Sequence, residues 1–289
     1  MPGKKTNMES SLTLKFWGVR GSIPSPGKST VRYGGNTSCV SIETRADKIL
    51  VLDAGTGIRE MGKALAGNPA ELYILLSHCH SDHIQGFPFF LPVYQSGRKI
   101  YLFPAKQDKT ALCSVIEQMD GAHFPVTPDT LPSNYVCVTE DPVDFLRDHG
   151  FSISRISTNH PGEGYGYRVE NKGRSVVYLT DNELDPPYKK ATEFKDFVRF
   201  CNQADVLIHD AQYLEQDMPR KHGWGHSLVS QACALAAASQ VKHLVLYHHD
   251  PERTDKELDS IQEGARSWFQ KNKHNIKCTA AYEGLELRI

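Results

Sequence analysis

The chain has 289 residues, of which 39% are hydrophobic and 23% are charged, a composition typical of a globular protein with a full core. Its 33 Lys and Arg residues nearly balance 34 Asp and Glu residues, and the net charge of −1 disfavours tight, non-specific binding of a long nucleic acid. The seven cysteines are scattered and form no C-x-x-C pair, which disfavours both a disulfide framework and a structural zinc knuckle.

The N-terminal segment MPGKKTNMESSL is polar and lacks the apolar core of a signal peptide. No apolar run elsewhere in the sequence reaches the length of a membrane span. We therefore expect a cytoplasmic protein with reduced thiols and no membrane association.

The first half of the chain is rich in predicted strands. Strands are predicted at residues 12–17, 38–43, 49–53, 72–77 and 99–103, and helices at residues 58–66 and 108–119. A further helix that begins at Ile84 is expected to be cut short by Pro88 and Pro92. Four prolines fall within residues 120–145, which we interpret as irregular, so that a cap or rim is expected around residues 104–145.

The second half of the chain repeats the rhythm of strand and helix. Strands are predicted at residues 151–158, 166–170, 175–180, 206–210 and 243–247, helices at residues 227–239 and 255–271, and a closing strand pair within residues 278–287. This rhythm predicts a layered α/β fold with sheets inside and helices outside.

A cluster of metal-binding side chains, HCHSDH at residues 78–83, follows a predicted buried strand. Imidazole and carboxylate groups are good ligands for zinc, iron or manganese. In an extended or tightly turning loop, His78 and His80 would point the same way and bind one ion. Asp82 and His83 would face a second ion. The run therefore predicts the metal centre of a hydrolase, and the alternative is a polar loop with chance histidines.

Two metal ions need more ligands than this run supplies. The other candidates each lie at or just after the end of a predicted strand: His160, Asp181, Asp210 and His248. Loops at one edge of a rigid sheet layer can bring such side chains to one point. Taken alone, each candidate could equally be a surface or turn residue. Their joint occurrence after strands favours a shared site, in which a carboxylate such as Asp181 can bridge two ions.

This order of motifs, HCHSDH followed by His160, TDNE at residues 180–183 and YHHDP at residues 247–251, resembles the metallo-β-lactamase superfamily along roughly residues 12–289. The resemblance implies a four-layer αββα sandwich of metallo-β-lactamase type, as a single hydrolase domain over residues 1–289. It implies two divalent metal ions, with zinc as the first choice and manganese or iron as alternatives. It assigns the ligands as His78, His80 and His160 for the first ion, Asp82, His83 and His248 for the second, and Asp181 for both. It also implies that a hydroxide between the ions attacks the substrate, with Asp82 steering it or accepting its proton.

A second stretch of sequence indicates which branch of the superfamily the chain resembles. Residues 209–228, HDAQYLEQDMPRKHGWGHSL, resemble the HEAT…GHST stretch of the phosphodiesterase branch, which includes tRNase Z. The matching positions are His226 and Asp210. An imidazole at His226 can bind the phosphate, neutralise its developing charge and donate a proton to the leaving oxygen, while a carboxylate at Asp210 orients the ring. The alternative for His226 is a structural residue at the start of a helix, next to Ser227 as a cap.

The distance between two motifs bears on the substrate. Only 21 positions separate His160 from Asp181, which leaves no room for the long arm with which tRNase Z grips tRNA. The chain is therefore more similar to small bacterial phosphodiesterases such as that of the carbon–phosphorus lyase operon, although it lacks that protein's cysteine-rich zinc site. We expect hydrolysis of a small phosphodiester such as a cyclic nucleotide or short oligonucleotide, no stable complex with long nucleic acid, and a possible homodimer.

Three other functions stay open at this point. They are a nuclease acting on RNA or DNA ends, a non-phosphate hydrolase such as a lactonase or thioesterase, and a non-catalytic nucleotide-binding sensor. The third would be favoured by loss of ligands, and all seven expected ligands are present.

Two further motifs, GVRGSIPSPG at residues 18–27 and YGGNTSCV at residues 33–40, offer candidate substrate contacts. Arg20 can reach a phosphate with its planar guanidinium. Asn36 can hydrogen-bond the substrate or hold a loop. The alternative for both is turn structure between two strands. The sequence HFP at residues 123–125 can stack a base at the rim, or serve in packing or a dimer contact.

Overall fold

The computed structural model describes residues 12–45, 47–105 and 114–289. Six strands come first in the chain: β1 (Thr13–Gly18), β2 (Cys39–Arg45), β3 (Lys48–Leu52), β4 (Glu71–Leu75), β5 (Lys99–Phe103) and β6 (Asn134–Cys137). They form one sheet, which the last strand of the chain, β13 (Glu286–Arg288), joins beside β1. The second sheet holds β7 (Ser152–Ser157), β8 (Tyr165–Asn171), β9 (Arg174–Leu179), β10 (Val206–Asp210), β11 (His243–Tyr247) and β12 (Lys277–Ala280).

Each sheet combines antiparallel and parallel pairs. The strand order is β13-β1-β2-β3-β4-β5-β6 in the first sheet and β12-β11-β10-β9-β8-β7 in the second. Strands β3 to β6 pair in parallel, and so do β9 to β12. The remaining neighbours are antiparallel. Parallel strands are covered on both faces, which agrees with the burial of every residue of β10 and β11 and with their apolar runs at residues 206–208 and 244–247.

The helices of the described residues are α1 (Ile58–Ala64), α2 (Ser81–Ile84), α3 (Ser114–Glu117), α4 (Pro142–Asp148), α5 (Phe194–Cys201), α6 (Val229–Ala238) and α7 (Asp255–Lys271). Helix α7 shows how local sequence sets these bounds. The Thr254 side chain accepts from the Glu257 backbone and the Glu257 carboxylate accepts from the Thr254 backbone, which caps the helix start. Leu258, Ala265 and Phe269 form its buried face.

The alternation of side chains along the strands produces the layers. In β4, Tyr73 and Leu75 point into a core between the two sheets, whereas Leu72 and Ile74 point into an outer core with α1 and α3. Strand β9 alternates in the same way between the central core and a third core with α5, α6 and α7. The result is the four-layer αββα sandwich that the sequence predicts.

Three predicted elements need correction. Residues 120–145 are not wholly irregular, because they contain β6, an edge strand parallel to β5, and the start of α4. The helix that was expected to begin at Ile84 instead begins at Ser81 and ends at Ile84. Short 3₁₀ turns follow at Phe87–Phe89 and Leu91–Tyr94. The closing strands β12 and β13 do not pair with each other but lie in different sheets.

The remaining comparisons between prediction and structure concern the helices. Helix α5 was not predicted, and residues 108–113 of the helix predicted at 108–119 lie outside the described residues. Across residues 12–45, 47–105 and 114–289, no helix combines the length and the apolar character that crossing a bilayer requires.

Candidate metal centre

Side chains from both sheets converge where strands end. Asp53 and His78 follow β3 and β4 of the first sheet, and His160, Asp181 and His248 follow β7, β9 and β11 of the second. Strands β3 and β4 are parallel, and β9 and β11 both run parallel to β10. The carboxyl ends of the strands in each sheet therefore lie at one edge, and the two edges face a common point.

The predicted ligands form two adjoining groups. The donor atoms of His78, His80 and His160 lie within 4.8 Å of one another, as do those of Asp82, His83, Asp181 and His248. Asp181 faces both groups, because its Oδ1 lies 3.7 Å from His78 Nε2 and its Oδ2 lies 3.1 Å from His83 Nε2. The structure thus brings together all seven residues that the sequence analysis named as ligands. Their assignment to individual ions stays a prediction.

The chemistry of this cluster fits divalent cations. His78 Nε2 is buried and has no hydrogen-bond partner among the described residues. Burial lowers the pKa of His78 and of His160, which favours the neutral imidazole that a metal ion requires. Burial also opposes the charged form of His83, but the carboxylates of Asp82 and Asp181 outweigh it and raise the pKa of His83 well above its usual range. The negative charge that attracts this proton would equally attract a metal cation.

A left-handed backbone conformation directs three of these side chains towards the site. Asp53 and His248 follow directly on strands, Asp181 follows one residue after β9, and their φ values are 63°, 57° and 49°. These values lie in the left-handed region, which non-glycine residues adopt at a cost of roughly 1–3 kcal/mol. Each strand therefore ends in a sharp change of direction, and the side chain after it points across the edge of the sheet.

The HCHSDH run was predicted to be an extended or tightly turning loop, and the structure shows an extended part followed by a helical turn. His80 is extended, with ψ at 152°, and the helical turn α2 follows it. The His83 backbone N–H donates to the His80 carbonyl at 3.0 Å. As a result, His78 and His80 precede the helical turn, while Asp82 and His83 lie on it and serve the other group of donors.

Asp53 is a residue of the site that the sequence analysis assigned no role. It has no exposed surface and accepts hydrogen bonds from Ser77 N and Ser77 Oγ at 2.7 and 2.9 Å and from Tyr178 Oη at 2.7 Å. His83 Nδ1 donates to it at 2.8 Å, which directs Nε2 of that ring at the other donors. An acid at the end of a buried strand was the signal in the sequence.

The loop at residues 18–27 also reaches the metal centre. The Ser22 backbone N–H donates to Asp82 Oδ2 at 2.7 Å. Gln212 links the same loop to a second ligand, because its Oε1 accepts from His248 Nδ1 at 2.9 Å and its Nε2 donates to Ser22 Oγ at 3.3 Å. A Cβ on Gly21 would lie 2.5 Å from the His248 ring, so this approach requires glycine. Neither Ser22 nor Gln212 was predicted.

The structure corrects the predicted role of Arg20 as a substrate contact. Its side chain has no exposed surface, and its guanidinium donates to backbone carbonyls of Gly34, Asp250 and Arg253 at 2.8, 3.1 and 2.7 Å. An enclosed guanidinium of this kind cannot reach a substrate phosphate. It fixes the turn between two strands, which is the alternative that the sequence left open.

Asn36 and the HFP sequence also have structural contacts. The Asn36 side-chain amide donates to Glu283 Oε2 at 3.0 Å, which favours the role of holding a loop. His123 Nδ1 lies 2.6 Å from Asp120 Oδ2 at the surface, and Phe124 packs edge-on against Phe89. These contacts agree with packing at the rim.

His226 and Asp210 form a pair beside the metal cluster. His226 Nδ1 donates to Asp210 Oδ2 at 2.6 Å, and its ring stacks on His248 with centroids 5.0 Å apart. Burial disfavours the charged ring, but the adjacent Asp210 carboxylate outweighs burial and raises the pKa of His226 to about 9. Since Asp210 occupies Nδ1, Nε2 is the ring nitrogen that remains for a substrate oxygen.

The fold and the cluster together define a metal-dependent hydrolase built on an αββα sandwich. A family model described as a beta-lactamase superfamily domain matches residues 48–249, more than two thirds of the sequence. The chain therefore belongs to the metallo-β-lactamase superfamily, as its motifs predicted.

Individual relatives are distant in sequence but similar in length. Ribonuclease Z of Picrophilus torridus is 23% identical to this chain over 314 aligned positions, which cover 91% of this chain and 93% of the relative. Among solved structures, the metallo-β-lactamase fold protein YhfI of Bacillus subtilis has a TM-score of 0.67 and 18% identity, covering 97% of this chain and 100% of its own. A diphosphatase from the PhnP family has a TM-score of 0.64 and 18% identity, covering 96% and 97% of the two chains. These structural likenesses concern the fold.

Proposed function

We propose that this protein is a dinuclear metal phosphodiesterase that hydrolyses a small phosphodiester, such as a cyclic nucleotide or a short oligonucleotide. The observation that carries the proposal is the His226–Asp210 pair, joined at 2.6 Å and stacked on His248 at the cluster. Such a pair suits a reaction in which charge develops on a phosphate and an oxygen leaves. A lactone or thioester hydrolase would give His226 no comparable task.

Seven residues of the chain would hold the two ions. His78, His80 and His160 would hold one ion, Asp82, His83 and His248 would hold the other, and Asp181 would contact both. We propose zinc, with manganese or iron as alternatives. Two such ions would supply Lewis acidity and a water of lowered pKa.

The residues around these ligands orient the substrate and move protons. His226 Nε2 would donate a hydrogen bond to a non-bridging oxygen of the phosphate and then a proton to the leaving oxygen. Asp210 holds the ring through Nδ1 in the orientation that this requires. The Ser22 backbone N–H holds Asp82 Oδ2, which fixes the carboxylate that would steer the attacking water and accept its proton.

The short segment between His160 and Asp181 favours a small substrate over a long nucleic acid. It consists of a short loop and the hairpin β8–β9, whose strands pair from Tyr167↔Tyr178 to Asn171↔Arg174. Nothing in this hairpin extends as an arm, and the net charge of −1 offers no broad cationic surface for a long nucleic acid. We therefore propose a small phosphodiester as the partner of this site.

The ribonuclease Z relatives favour a second candidate, a nuclease that acts on RNA ends. This alternative uses the same metal ligands and the same His226–Asp210 pair. It differs in requiring contacts to several nucleotides beyond the cleaved bond, so substrate length is the property that separates the two candidates.

The test is a substrate panel for the metal-loaded protein. We expect hydrolysis of bis-p-nitrophenyl phosphate and of at least one cyclic nucleotide or dinucleotide, with no turnover of a lactone or a thioester. Turnover of the lactone or thioester alone would refute the proposal, and cleavage restricted to a structured RNA 3′ end would favour the nuclease. Asp82→Ala should abolish hydrolysis while circular dichroism stays unchanged, and full activity in this variant would contradict the dinuclear mechanism.

A further inference from the structure

A cavity of about 520 Å³ adjoins the metal cluster on the side of the second sheet. One wall is the loop that follows β7, and the opposite wall comes from residues 188–191. His160 belongs to both places, because its Nε2 lies 3.0 Å from His80 Nδ1 in the cluster and the residue itself lines the cavity. The cavity therefore begins next to one candidate metal ligand.

The walls of the cavity are aromatic and charged. The lining residues include Tyr188 with its aromatic ring, Lys189 with a positive charge and Glu163 with a carboxylate. The volume lies within the range of roughly 300–1,000 Å³ that small-molecule sites span. A ligand that combines an aromatic ring, hydroxyl groups and a phosphate would match each of these groups.

The Tyr188 side of the cavity is built before any ligand binds. The Asn159 side chain is buried and accepts from the backbone N–H groups of Ala191 and Thr192 at 2.8 and 3.0 Å. Tyr188 Oη donates to the Asn159 carbonyl at 3.3 Å, yet 37% of the residue is exposed. These bonds fix the position of the phenol ring and leave part of it open to a ligand.

A rigid loop presents Trp224 next to the same cavity. Trp224 is 59% exposed and lies between Gly223 and Gly225, whose φ values are 89° and 92°. Both glycine N–H groups donate to the buried carboxylate of Glu183, at 2.8 and 2.9 Å. The loop is thus held in place while its tryptophan stays exposed, and an indole ring offers a large apolar face for contact.

The neighbours of the two glycines locate Trp224. The Gly225 carbonyl accepts from His160 Nδ1 at 3.1 Å, and a Cβ on Gly225 would lie 2.7 Å from Pro161 Cδ. A Cβ on Gly223 would lie 3.0 Å from Pro187 Cγ, next to Tyr188. Trp224 therefore lies beside the cavity, because Gly225 is close to the lining residues His160 and Pro161, and Gly223 is close to Pro187, the neighbour of the lining residue Tyr188.

We propose that this cavity binds the nucleoside end of a nucleotide substrate, with the base stacked against Tyr188 and Trp224 and with Lys189 attracting the anionic ligand. The inference rests on the proposed phosphodiesterase function and names its substrate class more closely. Base–aromatic stacking tolerates any base, because every base has a π-face, so recognition here concerns the presence of a base and not its identity.

The test compares two ligands that differ by a base. Adenosine 5′-monophosphate and ribose 5-phosphate are titrated into the metal-loaded protein by calorimetry. We expect the nucleotide to bind at least about tenfold more tightly, and Tyr188→Ala and Trp224→Ala each to weaken its binding about tenfold, the change expected for one lost stacking contact. Tyr188→Phe keeps the ring but loses its hydrogen bond to Asn159, so we expect it to retain most of the affinity that Tyr188→Ala loses. Tyr282→Ala, which removes a tyrosine of similar exposure outside the cavity, is the matched control.

Two outcomes separate this inference from the function on which it rests. Equal affinity for both ligands, or unchanged nucleotide binding in Tyr188→Ala and Trp224→Ala, would overturn the cavity assignment even if bis-p-nitrophenyl phosphate is hydrolysed. Nucleotide binding that depends on Tyr188 and Trp224, in a protein that cleaves no phosphodiester, would support the cavity and refute the phosphodiesterase.

Discussion

Three candidate metal ligands of this protein each have a hydrogen-bond partner outside the ligand set. His83 Nδ1 donates to Asp53, and His248 Nδ1 donates to Gln212. Asp82 Oδ2 accepts from the Ser22 backbone. Such partners fix the tautomer of a histidine and the direction of its free nitrogen, and their loss typically weakens metal affinity about 10- to 100-fold. The site is therefore specified by its supporting residues as well as by its ligands.

His226→Ala tests the proposed phosphate contact at the level of one residue. Removing the imidazole takes away a hydrogen bond and a proton donor, so we expect kcat on bis-p-nitrophenyl phosphate to fall roughly 10²- to 10³-fold. Metal content, measured by inductively coupled plasma mass spectrometry, should stay at the wild-type level. His274→Ala, at an exposed position, is the control. A parallel loss of metal would show that His226 acts as a ligand instead.

His243 predicts a pH dependence of stability outside the metal centre. Burial, aided by the positive charges of Lys277 and Arg266, lowers the pKa of His243 to about 4 from an unfolded value near 6.5. Between these values the unfolded chain binds the proton more readily, so stability falls as the pH falls. We expect His243 to contribute about 2 kcal/mol to the loss of unfolding free energy between pH 7.5 and pH 5.

The measurement is urea denaturation of wild type and His243→Gln at both pH values. The variant should lose less stability than wild type on acidification, because it has no proton to bind at this position. Identical losses in the two proteins would show that His243 is not held neutral in the folded state.

At the scale of elements, the loop at residues 222–226 connects the candidate metal ligand His160 with His226. Gly225 can occupy its position only without a side chain, because its φ is 92° and a Cβ would overlap His160 Nδ1. Glu183 holds the loop through two backbone N–H groups. A change in this loop should therefore affect the candidate ligand His160 and the proposed catalytic residue His226 together.

Gly225→Ala and Gly284→Ala form a matched pair that tests this coupling. Gly284 has a similar φ of 87°, but a Cβ there would meet nothing within 4 Å. Gly284→Ala should cost about 1 kcal/mol of unfolding free energy, the usual cost of a left-handed alanine, and keep full activity. Gly225→Ala should cost more and lose both activity and bound metal. Equal effects of the two substitutions would contradict the proposed contact with His160.

The extent to which elements could be predicted depends on how local their signals are. Strands β10 and β11 and helix α7 were predicted to the residue, since each strand contains a short apolar run, at residues 206–208 and 244–247, and α7 has a capping box. Strand β6 was missed because it is a half-exposed edge strand. Helix α5 buries only Phe197 and Cys201, which is a weak pattern in eight residues.

The residues of the candidate site also differ in whether a local sequence signal predicts them. The seven ligand candidates could be found because each lies in a motif or at a strand end. Ser22 and Gln212 could not, because their contacts with Asp82 and His248 span 60 and 36 positions and depend on how the loops pack. Arg20 was misassigned since its exposure, and not its residue type, decides whether it can reach a substrate.

At the scale of the whole molecule, the metal centre joins the two sheets. Loops after β4 and β9 supply His78 and Asp181, whose donor atoms lie 3.7 Å apart across the sandwich. The hydrogen bond from Tyr178 on β9 to Asp53 after β3 crosses the same boundary. Metal binding should therefore favour the folded state as a whole and not one loop.

Removal of metal tests this link between the sheets. A metal ion at about 1,000 times its dissociation constant stabilises the folded state by about 4 kcal/mol, which for a chain of this size corresponds to a shift in Tm on the order of 10 °C. We expect chelation by EDTA to lower Tm by that amount in calorimetry. Asp181→Asn should show a much smaller shift. A wild-type Tm that does not respond to EDTA would argue against ligands drawn from both sheets.

The helical turn α2 fixes the number of residues that the HCHSDH run must have between its candidate ligands. His80 is the last extended residue, and Asp82 and His83 lie on the turn that begins at Ser81. One residue added between them would rotate the turn by about 100° and carry both side chains away from the other donors. No change elsewhere in the loop could restore their direction. Substitutions between the ligands, at Cys79 or Ser81, are therefore compatible with the site, whereas a single insertion or deletion is not.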